Sequence, residues 1–111
     1  MSRAQSNFKT ADQKKETVIV DVSFEPLMPK FLANRKKEVA AMEEALAKQD
    51  FETIRKIAHG MKGAGGSYGF DRVTEIAAVI EQAAKITDAA GIQRNLPLLS
   101  LYLEQVEVVY E

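Results

Sequence analysis

The chain has 111 residues, enough for one ordinary domain with a real core and too few for two. Fifteen basic and sixteen acidic side chains give a formal charge of −1, which provides no general electrostatic reason to bind nucleic acid or an anionic membrane. The sequence has no cysteine and one histidine, His59, which excludes disulfides, thiolate metal sites, cysteine nucleophiles and multi-histidine metal centres. No apolar stretch reaches the length of a membrane span and the polar N-terminus lacks a signal-peptide core, so we expect a cytoplasmic protein.

Residues 1–16 are polar, with four basic and two acidic side chains and no periodic apolar pattern. We expect this tail to be disordered or loosely attached, and residues 17–111 to form the domain. The first segment of that domain, residues 17–23, is rich in β-branched residues, but no other segment of the sequence presents a partner strand. Because an isolated strand has little stability, we expect an extended lead-in that packs on the body of the domain.

Apolar residues recur at helical spacing from residue 27 onward, and the pattern predicts a first helix over about residues 27–48. Asp50 is the predicted N-cap of a second helix, because a short acceptor side chain satisfies the free amides of a first turn. Gly69 is expected to end that helix. Asp71 and Asp88 are the predicted N-caps of the third and fourth helices.

The fourth helix contains Pro97, where we expect a kink rather than a break. Val106 is predicted to lie on the buried side of the same helix. Four amphipathic helices joined by short loops favour one simple arrangement. The predicted fold is all-α, an antiparallel up-down four-helix bundle with an extended N-terminal lead-in, and we expect it to be a monomer.

Five of the six glycines fall within ten residues, at positions 60, 63, 65, 66 and 69. Each glycine inside a helix costs about 1 kcal/mol relative to alanine, so bare backbone must be required there. Gly63 and Gly66 follow His59 at i+4 and i+7, on a side of the helix that the spacing predicts to face solvent. Lys62 adds a cation one turn from the imidazole. This combination is typical of a site that handles a phosphoryl group and is open to a partner protein.

Each of these residues also has a simpler explanation. A lone histidine in a small domain is most often a surface residue without a role, and a lone lysine is most often solvated charge. Helical glycines also permit tight helix packing, and Gly65 is predicted to face inward. The joint occurrence at helical spacing favours the site. Residues 65–69 also satisfy the Gly-x-Ser-x-Gly pattern of hydrolases, but that motif needs a preceding strand and a later histidine.

Residues 58–70, Ala-His-Gly-Met-Lys-Gly-Ala-Gly-Gly-Ser-Tyr-Gly-Phe, closely resemble the core motif of the histidine-containing phosphotransfer (Hpt) domains of bacterial phosphorelays. The step Ile80-Glu81 in the next helix resembles an apolar–glutamate or apolar–glutamine step of the family. Residues 26–46 and the Asp50 cap resemble its first helix and turn. The resemblance extends over about residues 18–110 and leaves out the N-terminal tail.

The resemblance implies a four-helix bundle whose exposed histidine accepts a phosphoryl group from a response-regulator aspartate and passes it on. By position in the motif, His59 is the phosphoacceptor and Lys62 is the cation beside the phosphoryl group. An open docking surface is expected around them, formed by Gly63, Gly66, Arg55 and Lys56.

Glu81 takes the place where many family members put a polar residue, often glutamine, against the second nitrogen of the histidine. Here the glutamate would orient the ring by accepting from Nδ1–H, which leaves Nε2 as the nucleophile. A carboxylate would also repel a bound phosphoryl group. An equally good alternative is a plain surface ion pair with Lys85, one turn further along the same helix.

The resemblance further implies response-regulator receiver domains and a hybrid histidine kinase as partners. Phosphoryl transfer usually needs Mg²⁺, and the sequence has no acidic cluster to hold it, so the metal, the aspartates and most of the catalysis should come from the partner. The protein is then a carrier without a cofactor, and not an enzyme. Two alternatives remain: a helical adaptor that is never phosphorylated, and the detached C-terminal piece of a hybrid kinase. The initiating methionine and the tail favour a free-standing protein.

Overall fold

Four α-helices dominate the computed structural model, which describes residues 16–111. The predicted tail therefore lies outside the described residues, apart from Glu16. A short 3₁₀ helix at Val22–Leu27 precedes the first α-helix. The α-helices are α1 Met28–Ala47, α2 Phe51–Tyr68, α3 Asp71–Lys85 and α4 Ala89–Gln105.

The apolar sides of all four helices pack into one hydrophobic core. Its largest fully buried side chains include Met42 of α1, Met61 of α2, Ile80 of α3 and Leu99 of α4. Amphipathic helices of this length are stabilised mainly by such packing and much less by intrinsic propensity. The predicted helical bundle is confirmed. None of the helices in the described part of the chain is long and apolar enough to cross a membrane.

The caps of α2 and α4 and the end of α2 follow the sequence signals, whereas the beginning of α3 does not. Asp50 and Asp88 cap α2 and α4, each accepting from a backbone amide of the first turn. Gly69 ends α2 with a left-handed φ of 84°, a conformation that favours glycine. The prediction for Asp71 is wrong, because Phe70 holds the N-cap position and Asp71 is the first residue of α3. The fully buried ring of Phe70 determines where the chain enters the helix, and the Asp71 carboxylate stays in the first turn, where the helix dipole favours it.

The prediction that residues 17–23 lack a partner strand is also wrong. Strand β1, Thr17–Val20, pairs in parallel with strand β2, Glu107–Tyr110, in a two-stranded sheet. Helix α4 continues through Pro97 as predicted, but it ends at Gln105. Val106 is extended with ψ of 136°, so its predicted helical position is wrong, although it does pack against the core.

The sheet is stable because it lies on the bundle. Val20 of β1 is a fully buried member of the core, and Val18, Val108 and Tyr110 pack against it. A two-stranded sheet alone is marginal in water, whereas one packed on a helical core is not. The pairing joins the two ends of the described chain, so no local pattern could have indicated it.

Candidate functional site

His59 lies in the middle of α2 with 67% of its side chain exposed, as its position on the helix predicted. Its ring is nevertheless held on one side. Nδ1 lies 2.9 Å from Oε2 of Glu81, a residue of the neighbouring helix α3. Nε2 has no hydrogen-bond partner within residues 16–111. The imidazole is therefore an exposed group with one anchored nitrogen and one open nitrogen.

Glu81 is the one charged residue that is buried within residues 16–111, with 4% of its side chain exposed. Its second oxygen, Oε1, lies 2.8 Å from Nζ of Lys62, which reaches across from α2. The approach is off the line of a well-aligned hydrogen bond, so the contact is chiefly an ion pair. One carboxylate thus contacts both His59 and Lys62 of α2.

The ionisation of Glu81 follows from these contacts. The Lys62 ammonium holds the pKa of the Glu81 carboxyl below its ordinary value, against the opposing effect of burial, and the hydrogen bond from His59 acts in the same direction as Lys62. A carboxylate can only accept, so the shared proton sits on Nδ1 of His59. In the neutral ring the lone pair is then on Nε2, the nitrogen that faces away from the protein's own groups.

The alternative of a surface pair between Glu81 and Lys85 is wrong. Glu81 is buried against α2, while Lys85 is exposed and makes no ion pair with any described residue. The signal was present in the sequence, since Glu81 lies beside Ile80 and one turn before Ala84, within the apolar side of α3. A glutamate on a buried side needs a partner, and a cation on a neighbouring helix provides it.

Lys62 is half-buried and its ammonium is directed at Glu81. Sequence reasoning expected this cation beside a phosphoryl group. In this structure it instead compensates the buried carboxylate that holds His59. The cation is therefore near the imidazole through a shared partner, and a phosphoryl group would have to compete with Glu81 for it.

The glycines divide into two groups. A Cβ added at Gly60 or Gly63 would meet nothing within 4 Å, and both residues are exposed. A Cβ at Gly65 would lie 2.7 Å from Oγ1 of Thr74 and 3.1 Å from the Phe70 carbonyl oxygen. Gly65 therefore permits tight packing of α2 on α3, whereas Gly60 and Gly63 leave open surface that the fold itself does not need.

Gly66 is exposed and lies next to the packed region, with a Cβ position 3.8 Å from Oγ1 of Thr74. Arg55 lies one turn before His59 and forms a bidentate ion pair with Glu52. Its Nε and Nη2 atoms lie 3.0 and 2.6 Å from the two carboxylate oxygens. Lys56 is exposed. The predicted docking residues thus lie along the exposed length of α2, with the charge of Arg55 partly balanced by its neighbour.

Sequence reasoning missed Thr74, whose hydroxyl donates to the carbonyl oxygen of Lys62 at 3.0 Å. No local pattern marks this residue, because its partner is on another helix. Within residues 16–111, no three histidine, aspartate or glutamate side chains come close enough to hold a metal ion.

A comparison against models of protein families gives a match that covers most of the chain. The Hpt domain family model matches residues 27–108, which include all four α-helices and every residue of the site described above. The chain belongs to the Hpt family, whose members carry phosphoryl groups on histidine in phosphorelays and interact there with receiver domains and kinases. Searches of curated proteins and of solved structures returned no match.

Proposed function

We propose that this Hpt domain carries a phosphoryl group on Nε2 of His59, taking it from the aspartate of one response-regulator receiver domain and giving it to another. The supporting observation is the hydrogen bond between Nδ1 of His59 and Oε2 of Glu81, in a ring that is otherwise exposed. That bond selects the tautomer in which Nε2 carries the lone pair, and it keeps the ring in one orientation.

In the proposed step, the Nε2 lone pair forms a bond to phosphorus as the bond between phosphorus and the aspartyl oxygen breaks. The aspartate leaves as a carboxylate. The Nδ1 proton stays on the ring, which becomes positively charged, and the Glu81 carboxylate stabilises that charge. Transfer to the next receiver is the same step in reverse. The receiver supplies the aspartates and Mg²⁺, so this chain contributes an oriented nucleophile and not a complete catalytic site.

A carboxylate near His59 would repel the phosphoryl group if its charge were not balanced, and Lys62 balances it. Its ammonium lies 2.8 Å from Glu81, so the pair presents little net charge to an incoming anion. We infer that Lys62 acts in two ways: it keeps Glu81 ionised in a buried position, and it provides a cation within reach of the phosphorylated ring.

The receiver would dock on the exposed surface of α2. Gly60 and Gly63 have open space where side chains would be, so a partner's backbone can approach the helix there. Arg55 and Lys56 lie at the end of this surface nearer the beginning of α2. We propose a hybrid histidine kinase as the original source of the phosphoryl group. We further propose residues 17–111 as the functional domain, in a monomeric cytoplasmic protein.

The deciding experiment is transfer of labelled phosphoryl from phosphorylated receiver domains to the wild-type chain and to His59→Gln. We expect label that is acid-labile and base-stable on the wild type alone, with equal circular dichroism for the two proteins. Label on both proteins would move the acceptor away from His59. Label on neither, across all receivers of the source organism, would favour the adaptor that binds partners without being phosphorylated.

A further inference from the structure

Helix α3 contacts Lys62 at both ends of that residue. The Glu81 carboxylate meets its ammonium at 2.8 Å, and the Thr74 hydroxyl donates to its carbonyl oxygen at 3.0 Å. Thr74 and Glu81 are seven residues apart, which is about two turns or 10 Å of helix. Two separate contacts along α3 therefore determine where that helix lies relative to one residue of α2.

Gly65 makes the Thr74 contact possible. It is buried, and a Cβ there would lie 2.7 Å from Oγ1 and 3.1 Å from the backbone nitrogen of Thr74. Any larger residue at position 65 would push the two helices apart at this point. The hydroxyl and the glycine together fix both the separation and the lengthwise register of α2 and α3.

The register matters because the contacts of Glu81 leave little room for displacement. Its oxygens lie 2.9 Å from Nδ1 of His59 and 2.8 Å from Nζ of Lys62. A sliding of α3 by about 1 Å would take both distances out of the range of good hydrogen bonds or close ion pairs, and functional groups must usually be held to about 0.5 Å. Glu81 is also buried, so it cannot follow His59 by moving through solvent.

We propose that Thr74 is a positioning residue: its hydrogen bond to the Lys62 carbonyl, made possible by Gly65, sets the α2–α3 register that keeps Glu81 on Nδ1 of His59. Thr74 acts through Glu81 and does not touch the imidazole. The inference rests on the proposed function for its importance in phosphoryl transfer, but its structural content is measurable in the unphosphorylated protein without a partner.

The test is the tautomer of the His59 ring in the full chain, read from its ¹⁵N chemical shifts at about pH 8.5, where an imidazole is neutral. We expect the wild type and Thr74→Ser, which keeps the hydroxyl, to have the proton on Nδ1. Thr74→Val keeps the shape but loses the donor, and Gly65→Ala separates the helices. In both, the ratio of the Nδ1–H to the Nε2–H tautomer should fall by about twofold or more, because the Nδ1–Glu81 bond is no longer held.

Thr53→Val is the matched control, because Thr53 donates an equivalent hydroxyl hydrogen bond at 2.6 Å to Asp50 at the beginning of α2, away from Glu81. It should lower stability and leave the tautomer ratio unchanged. The double variant Thr74→Val/Glu81→Gln should show the same ratio as Glu81→Gln alone, since Thr74 acts through Glu81.

If Thr74→Val is less stable than the wild type but its His59 ¹⁵N chemical shifts are the same as in the wild type, the proposal is overturned. Thr74 would then be a structural residue only. A further change of the ratio in the double variant would overturn the route through Glu81. If the chain accepts no phosphoryl group at all, the proposed function fails while the tautomer measurement still decides this inference. If it does accept one, transfer to Thr74→Val should be slower by about tenfold, with Thr74→Ser near wild type.

Discussion

The ammonium of Lys62 lies 2.8 Å from Oε1 of Glu81, and the other oxygen of that carboxylate holds His59. A charge on a buried side chain is costly unless it is paired, and here the pairing group is itself half-exposed. Lys62 therefore supports the imidazole indirectly, by making an ionised Glu81 tolerable beneath it.

Replacing Lys62 with methionine should destabilise the protein by about 1–2 kcal/mol. Removing one partner of a fully buried pair costs about 3–5 kcal/mol, and the cost is smaller here because Lys62 keeps part of its exposure to water. Urea denaturation measures the free energy of unfolding. Lys56→Met, a change at an exposed lysine of the same helix, is the control and should stay within about 0.5 kcal/mol. Equal losses of unfolding free energy in Lys62→Met and Lys56→Met would show that the Lys62–Glu81 pair contributes nothing to stability.

The same pair should make the stability depend on pH. Lys62 lowers the pKa of Glu81 below its ordinary value of 4.5. A carboxyl with a lowered pKa contributes stability that is present above the ordinary value and is lost as the pH falls through the lower value in the folded state. We expect the unfolding free energy to decrease more steeply between about pH 5 and pH 3 in the wild type than in Glu81→Gln.

Glu43→Gln, at an exposed glutamate of α1, is the control for that titration. It should reproduce the wild-type slope, because Glu43 forms no ion pair within residues 16–111 that would be lost with its charge. A Glu81→Gln protein with the wild-type slope would mean that other carboxyl groups dominate acid unfolding.

Two neighbouring glycines should respond in opposite directions to alanine. Gly63→Ala should raise the stability by up to about 1 kcal/mol, because the new methyl group meets no atom and alanine favours the helix. Gly65→Ala should lower it by about 1–3 kcal/mol through its clash with Thr74. Thermal denaturation of the two variants is the measurement.

Substitutions at the open position of Gly63 also allow folding and docking to be tested separately. Gly63→Leu should fold as well as Gly63→Ala and bind a receiver domain more weakly, because the added side chain occupies the space left for the partner. Full binding by Gly63→Leu would contradict the assignment of this surface as the docking site. Destabilisation by Gly63→Ala would instead show that the fold needs a glycine there.

The parallel strand pair should contribute measurably to stability. Val109→Pro removes an amide from the middle of β2 and should cost about 1–2 kcal/mol, whereas Val109→Thr keeps the amide and changes only an exposed side chain. Hydrogen exchange gives a local reading, because the amide of Val22 donates to the Glu111 carbonyl just past the strands. The Val22 amide should exchange faster than in the wild type in Val109→Pro but not in Val109→Thr. Equal exchange and stability in both variants would show that the sheet is not needed.

The helices and most of their ends could be predicted because the forces involved act over one or two turns. Asp50 and Asp88 cap helices through amides three residues away, and Gly69 ends α2 through its own backbone conformation. The exposure of His59 follows from its spacing relative to the buried residues of the same helix. Asp71 was misplaced by one position because the buried ring of Phe70, a tertiary effect, decides where α3 begins.

The strand pairing and the partners of Glu81 could not be predicted in this way. β1 and β2 come from the two ends of the described chain, and each by itself is only a four-residue run that contains β-branched residues. The choice between Lys85 and a residue of α2 as the partner of Glu81 depends on which side of α3 is covered. Spacing within one helix permits the first pairing and contains no information about the second.

A helical bundle with one exposed histidine beside a lysine and open glycines can therefore be predicted from the residues alone, because helical periodicity and capping are local. The group that holds that histidine follows from how the helices pack against each other. The carboxylate on Nδ1 lies 22 residues away along the chain and arrives there through the packing of Gly65 against Thr74. Such a contact depends on the distance and register between two helices, which are properties of the packed core and of no single segment.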